Sequence, residues 1–154
     1  MKDRFKFRVW LEFENKMITP ENESFFALNQ HGSLLKINDK NEVCWARIGH
    51  TFADEDIMQC TGLKDKNGKL IYEGDICLFV ISEIRTDLNP IESYYVKILQ
   101  KNSCWGFEPI YPELVHSDDR KFTSFWRDEE QEFWDLNYFE VIGNIYENPE
   151  LLED

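Results

Sequence analysis

Long apolar runs are missing from this sequence: no stretch of its 154 residues approaches the roughly 20 that a membrane-spanning helix needs. A secretory leader is missing too, because Met1-Lys2-Asp3-Arg4 passes into alternating charged and apolar residues instead of an apolar core. Together these absences predict a cytoplasmic protein with no membrane partner. Cys-x-x-Cys pairs are also absent. The four cysteines, Cys44, Cys60, Cys77 and Cys104, stand far apart, in spacings that fit no zinc pattern even with His50 as an added ligand. In a reducing compartment they are expected to be buried free thiols, without a disulfide and without zinc.

Motifs for catalysis are equally scarce. The chain has only three histidines, His31, His50 and His116, each in a segment that reads as loop and lacks a neighbour to orient it for acid–base work. Ser103 and Ser124 sit in no Gly-x-Ser-x-Gly elbow. Neither a Walker A loop nor a Gly-x-Gly-x-x-Gly turn is present to cradle phosphate. No catalytic, cofactor-binding or metal residue is therefore nominated, and an enzyme is the less favoured reading.

Positive charge is the last deficit. Lys and Arg total 17 against 30 Asp and Glu, a formal net charge of -13. Such a field repels nucleic-acid phosphates, so direct nucleic-acid binding through the general surface is not expected. Lys64, Lys66 and Lys69 form the best local basic cluster, read most simply as a solvated hairpin tip.

What the chain has in quantity is aromatic side chains: 12 Phe, 6 Tyr and 5 Trp, within a 42% hydrophobic composition. That content suffices for a core and favours strands, where flat side chains pack on a pleated surface. Residues 5–13 alternate apolar and polar, with Phe5, Phe7, Val9, Leu11 and Phe13 on one face of a strand and Trp10 on the other. A turn at Glu14-Asn15-Lys16 precedes a return strand at Met17-Ile18-Thr19. Phe25–Leu28 and Ser33–Ile37 flank Asn29-Gln30-His31-Gly32 as a second hairpin. Cys44–Ile48 is a further strand. Signal weakens between Gly49 and Gln59, where a boundary is placed between an N-terminal β-rich subdomain, 1–60, and a C-terminal domain, 61–154.

The densest signal follows that boundary: Thr61-Gly62-Leu63-Lys64-Asp65-Lys66-Asn67-Gly68-Lys69-Leu70-Ile71-Tyr72-Glu73-Gly74-Asp75-Ile76. Asn67-Gly68 predicts a two-residue type I′ turn with positive φ at both positions. Glu73-Gly74-Asp75 makes a second turn into Ile76–Ile81, an apolar run that reads as a strand buried on both faces or at a sheet centre. Ser93–Gln100 and Cys104–Ile110 predict an antiparallel pair around Lys101-Asn102-Ser103. Asp128–Glu132 carries helix formers with acidic residues early, predicting a helix that buries Phe133, Trp134 and Leu136. Phe139–Tyr146 is a strand that would close a barrel, and Asn148-Pro149 reads as N-cap and first residue of a short terminal helix.

The Thr61–Ile76 stretch resembles the signature of the YopX family, small proteins of bacteriophages and prophages. Phe5–Trp10 resembles that family's opening strand, and Val141-Ile142-Gly143-Asn144-Ile145-Tyr146-Glu147-Asn148-Pro149-Glu150-Leu151 its closing segment. The resemblance implies a mainly β protein, an N-terminal β-meander packed on a C-terminal SH3-like barrel or roll with a short C-terminal helix, in the cytoplasm of a bacterial host. It carries no activity over. The residues it singles out as a structural motif are Gly62, Asp65, Asn67, Gly68, Tyr72, Gly74, Asp75, Gly143, Asn144 and Tyr146.

Three functional readings remain. The first is a phage- or prophage-encoded, non-catalytic protein-interaction module whose partner is an unknown phage or host protein. The aromatic surplus adds an expected homo-oligomer, since Trp and Tyr are favoured at subunit contacts. The second is an acidic mimic of DNA that occupies a host nucleic-acid-binding protein, which the charge permits. The third, a metal-dependent enzyme of nucleic acid, rests only on Asp54-Glu55-Asp56 and Asp128-Glu129-Glu130-Gln131-Glu132. Adjacent carboxylates point in different directions on a strand or helix, so these clusters read better as solvated acidic faces.

Overall fold

The computed structural model describes residues 6–20, 26–28, 34–37, 40, 42–46, 57–80, 93–111, 121–127 and 132–153. They are mainly β, and every strand pairing among them is antiparallel. The chain divides into two compact units, Lys6–Gln59 and a longer one whose main span is Cys60–Asp154.

In the shorter unit β1 (Phe7–Leu11) pairs with β2 (Lys16–Ile18), Val9 opposite Ile18. The chain reverses through a 3-10 turn at Glu12–Glu14 and through Asn15 at φ 47, so the strand is shorter than the alternation predicts. Val9 packs among Phe7, Leu11 and Ile57. Arg8 and Trp10, on the opposite face, are buried as well. The Arg8 Nε donates to Met58 Sδ at 3.3 Å. Further on, β3 (Phe26–Leu28), β4 (Leu34–Ile37) and β5 (Val43–Ala46) form a three-stranded meander, matching the hairpin and strand read from the sequence.

Strand β6 (Ile57–Lys64) begins in the shorter unit and ends in the longer. The longer unit continues with β7 (Leu70–Tyr72), β8 (Asp75–Val80), β9 (Ser93–Lys101), β10 (Cys104–Pro109), β11 (Thr123–Ser124), β12 (Trp126–Arg127), β13 (Glu132–Phe133) and β14 (Phe139–Asn144). Five of these form one sheet in the order β11-β10-β9-β8-β14. Strand β8 has neighbours on both sides and buries Ile76, Cys77 and Phe79, which is why its sequence is a continuous apolar run. Phe79 stacks on Phe139 at 4.6 Å between centroids, and Phe107 lies within 5.6 Å of Phe79, Phe125 and Phe139. Trp134 stands edge-on to Phe79 at 5.7 Å. Offset and edge-to-face rings at these separations add to their area burial. Much of the aromatic surplus is thus core.

Several expectations are corrected. The helix predicted from Asp128 is not formed where the structure describes it: Glu132–Phe133 is strand, with Phe133 opposite Trp126 and Glu132 opposite Arg127. Burial decides this, because Phe125 and the following Trp134 join the aromatic core and overrule a weak helix propensity. A 3-10 turn follows at Leu136–Tyr138, where the Asp135 side chain accepts from Asn137 N. The terminal helix is a single 3-10 turn, Pro149–Leu152. Pro149 starts it as read, but the Asn148 side chain makes no capping bond. Of the thiols, Cys60 and Cys77 are buried and Cys104 is exposed, since Cys104 stands beside the β9–β10 turn, paired with exposed Lys101. No helix among the described residues is long and apolar enough to cross a membrane.

Candidate functional site

The motif residues gather at two turns and at the last strand of the sheet. At the first turn, Gly68 N donates to Asp65 O and Asp65 N donates to Lys69 O, both at 2.9 Å, which closes a loop over Lys66, Asn67 and Gly68. Gly68 has φ 79, but Asn67 is not in the left-handed region. The predicted type I′ turn is therefore replaced by a longer one with a single left-handed residue. The cause is the buried Asp65 carboxylate: its Oδ1 accepts from Asn67 N and Lys69 N, each at 2.9 Å. An Asp that bonds backbone two residues on sets its own turn geometry.

The other oxygen, Oδ2, accepts from Val141 N at 2.9 Å, 76 positions along the chain. Beside it Lys66 N donates to Phe139 O at 3.0 Å. Strand β14 pairs with β8 alone, so these two bonds fall on its outer edge, where Asp65 and Lys66 occupy the place of a neighbouring strand. Covering such an edge satisfies polar groups that otherwise template unwanted pairing. Lys66 Nζ lies 2.6 Å from Glu140, and Asn67 Nδ2 donates weakly to Glu140 at 3.4 Å. The hydrogen bond from Lys66 is the largest influence holding the Glu140 carboxyl below its ordinary pKa. Partial desolvation opposes it, and the Lys66 charge and Asn67 contact assist. The lysine cluster read as a hairpin tip thus has Lys66 tied down in an ion pair.

At the second turn Gly74, at φ 74, donates its N–H to Ile98 O and accepts from Ile145 N. Asp75, fully buried, accepts from Tyr72 N through Oδ2 at 2.7 Å and pairs across the sheet with Asn144. The Asn144 Oδ1 accepts from Tyr146 N and Glu147 N, and its Nδ2 donates to Glu147. Asn148 Oδ1 in turn accepts from Asn144 N at 3.3 Å. A Cβ at Gly143 would collide with that Asn148 side chain, so only glycine admits the contact. A bulge between Val141 and Gly143 leaves Ile142 as the extra residue, turned outward and exposed. Gly62, at φ 82, lies where the β6–β7 register shifts, and Thr61 Oγ1 donates to Ile71 O at 2.8 Å.

The Asp65 carboxylate and the Asn144 amide accept backbone N–H groups and fix turns, and an acceptor held by two or three such bonds is engaged rather than poised. The sequence identified Asp65 and Asn144 as motif residues but missed their partners. The Asp two positions before Asn-Gly signals a side-chain-to-backbone turn, whereas nothing local announces Val141. Glu140 was missed for the same reason, while Lys66 was read only as part of a hairpin tip and Asn148 only as an N-cap. His31, His50, His116, Asp54-Glu55-Asp56 and Asp128–Gln131 lie outside the described residues. Ser124 Oγ accepts from Trp126 N at 3.1 Å, and Ser103 sits in the β9–β10 turn. Among the described residues no group of three or more His, Cys, Asp or Glu is placed to hold a metal ion.

The family model described as YopX protein matches residues 6–153. The chain belongs to the YopX family. The two turns and the bulged last strand are thus how this YopX chain builds the segments that carry the resemblance. Among solved structures, it is similar to protein EF1440 from Enterococcus faecalis, at 24% identity over 96% of this chain and 97% of that one, with a TM-score of 0.44. No curated protein matches it.

Proposed function

We propose that this chain is a phage- or prophage-encoded, non-catalytic protein-interaction module of the bacterial cytoplasm, acting as a homo-oligomer or on a phage or host protein. The observation that carries the reading is an exposed large aromatic side chain. Trp126 stands 42% exposed on β12. An exposed Trp is the kind of residue that anchors interfaces. The SH3-like reading of residues 61–154 belongs to the same proposal. Its support is topological: the last strand of the sheet, β14, lies beside β8, the first, as a meander does when it curls back on itself.

A photo-crosslinking amino acid at position 126, compared with one at exposed Glu150, tests the module directly. Discrete adducts at 126 alone support it. A self-adduct, with more than one chain by light scattering at low micromolar concentration, identifies the partner as a second copy. Adducts at neither position, with a single 18.5 kDa species in solution, would count against it.

A further inference from the structure

We infer that Asn67-Gly68 is a latent deamidation site whose reactivity is governed by the docking of its own hairpin on β14. The reaction needs only water. A solvent base removes the Gly68 amide proton, the Gly68 nitrogen bonds to Asn67 Cγ, and ammonia departs to leave a succinimide. Water then opens the ring at either carbonyl, giving aspartate or isoaspartate.

Sterically the site is open. Both residues are exposed, and nothing lies within 4 Å of where a Gly68 Cβ would stand. The restraint is in the hydrogen bonds. The proton that must be lost is the one Gly68 donates to Asp65 O at 2.9 Å. Asn67 N is held on Asp65 Oδ1, which limits rotation of the residue that must present its side chain to Gly68. The Asn67 amide is itself directed to Glu140 at 3.4 Å. The Asp65 carboxylate accepts from the N–H groups of the residues on either side of Gly68, Asn67 and Lys69, and its negative charge disfavours a deprotonated nitrogen between them. Attack therefore requires the hairpin to open, and its rate reports the population of that local opening. Once formed, the product locks the opening in. A carboxylate replaces the amide donor facing Glu140, and isoaspartate adds a backbone atom to a turn that Asp65 fixes.

The test follows Asn67 deamidation by mass spectrometry in mildly alkaline buffer, for the folded chain, the chain in urea and a synthetic peptide of residues 61–72. The folded chain should react at least about tenfold more slowly than the peptide, the ratio expected if opening costs more than about 1.4 kcal/mol. The unfolded chain should match the peptide. Below the unfolding transition, added urea should raise deamidation and Gly68 amide exchange in parallel. Equal rates in folded chain and peptide would overturn the inference, as would deamidation that stays flat while Gly68 exchange rises.

Discussion

Two tight turns in the same unit invert what their sequences suggest. Asn67-Gly68 has the dipeptide signature of a primed two-residue turn, yet only Gly68 is left-handed there. Asn102-Ser103 lacks the glycine, yet both residues are left-handed, at φ 50 and φ 64. On either side of them Lys101 pairs directly with Cys104, so two residues must reverse the chain, and the type I′ reversal that matches strand twist has positive φ twice. At Asn67-Gly68 the loop has one more residue and a buried carboxylate to organise it. Strand register and side-chain acceptors set the turn type, and the dipeptide only permits it.

The sharpest way to break this comparison is to remove the organiser. Asp65→Ala leaves the N–H groups of Asn67, Lys69 and Val141 without that acceptor, and should destabilise by about 3 kcal/mol in urea unfolding, with Val141 amide exchange accelerated. Among the described residues no side-chain acceptor plays this part at Asn102-Ser103. Unchanged unfolding would mean the carboxylate is incidental. Next in size is Gly68→Val, which forces a β-branched residue to φ 79 and should cost about 1–2 kcal/mol in thermal unfolding. The sign reverses at the other turn. Ser103→Gly relieves a left-handed non-glycine residue and should stabilise by about 0.5 kcal/mol, the strain relief exceeding the entropy added to the unfolded chain. Destabilisation there would show that the serine side chain contributes something beyond its backbone angle.

This reversal also marks how far the sequence was legible. Alternation located β1, while segments flanking turn residues located the β3–β4 hairpin and the β9–β10 pair. The continuous apolar run located β8, a strand covered on both faces. Asn102-Ser103 was read as a turn, but its handedness was not, since that follows from pairing register. Glu132-Phe133 was misread as helix because its local composition is helical, while its fate is decided by Phe125 and Trp134 in the aromatic core. The motif was read as structural, and its glycines do lie at turns or register shifts. Its closure on Val141 was invisible, for long-range bonds leave no local pattern.

The smallest expected effect is electrostatic. Because the Glu140 pKa lies below its ordinary 4.5, its pairing contributes fully above that value and is lost as pH falls through the lowered one. NMR titration should place the Glu140 midpoint below 4.5, and Lys66→Ala should move it upward. Exposed pairs contribute little, so the midpoint is the measurement to make and unfolding should barely change.

The bond from Val141 to Asp65 also imposes an order of events. During synthesis Asp65 leaves the ribosome 76 residues before Val141 does, so the hairpin exists as a nascent segment well before its strand arrives. Contacts so distant along the chain form late, after loop closure has been paid for by other pairings. Until then the Asp65 carboxylate is a hydrated, solvent-facing group. The arrival of β14 seats the final strand and dehydrates that carboxylate in one step. A nascent chain stalled before Val141 would therefore hold a preformed receptor for its own last strand, open to the same segment offered in trans.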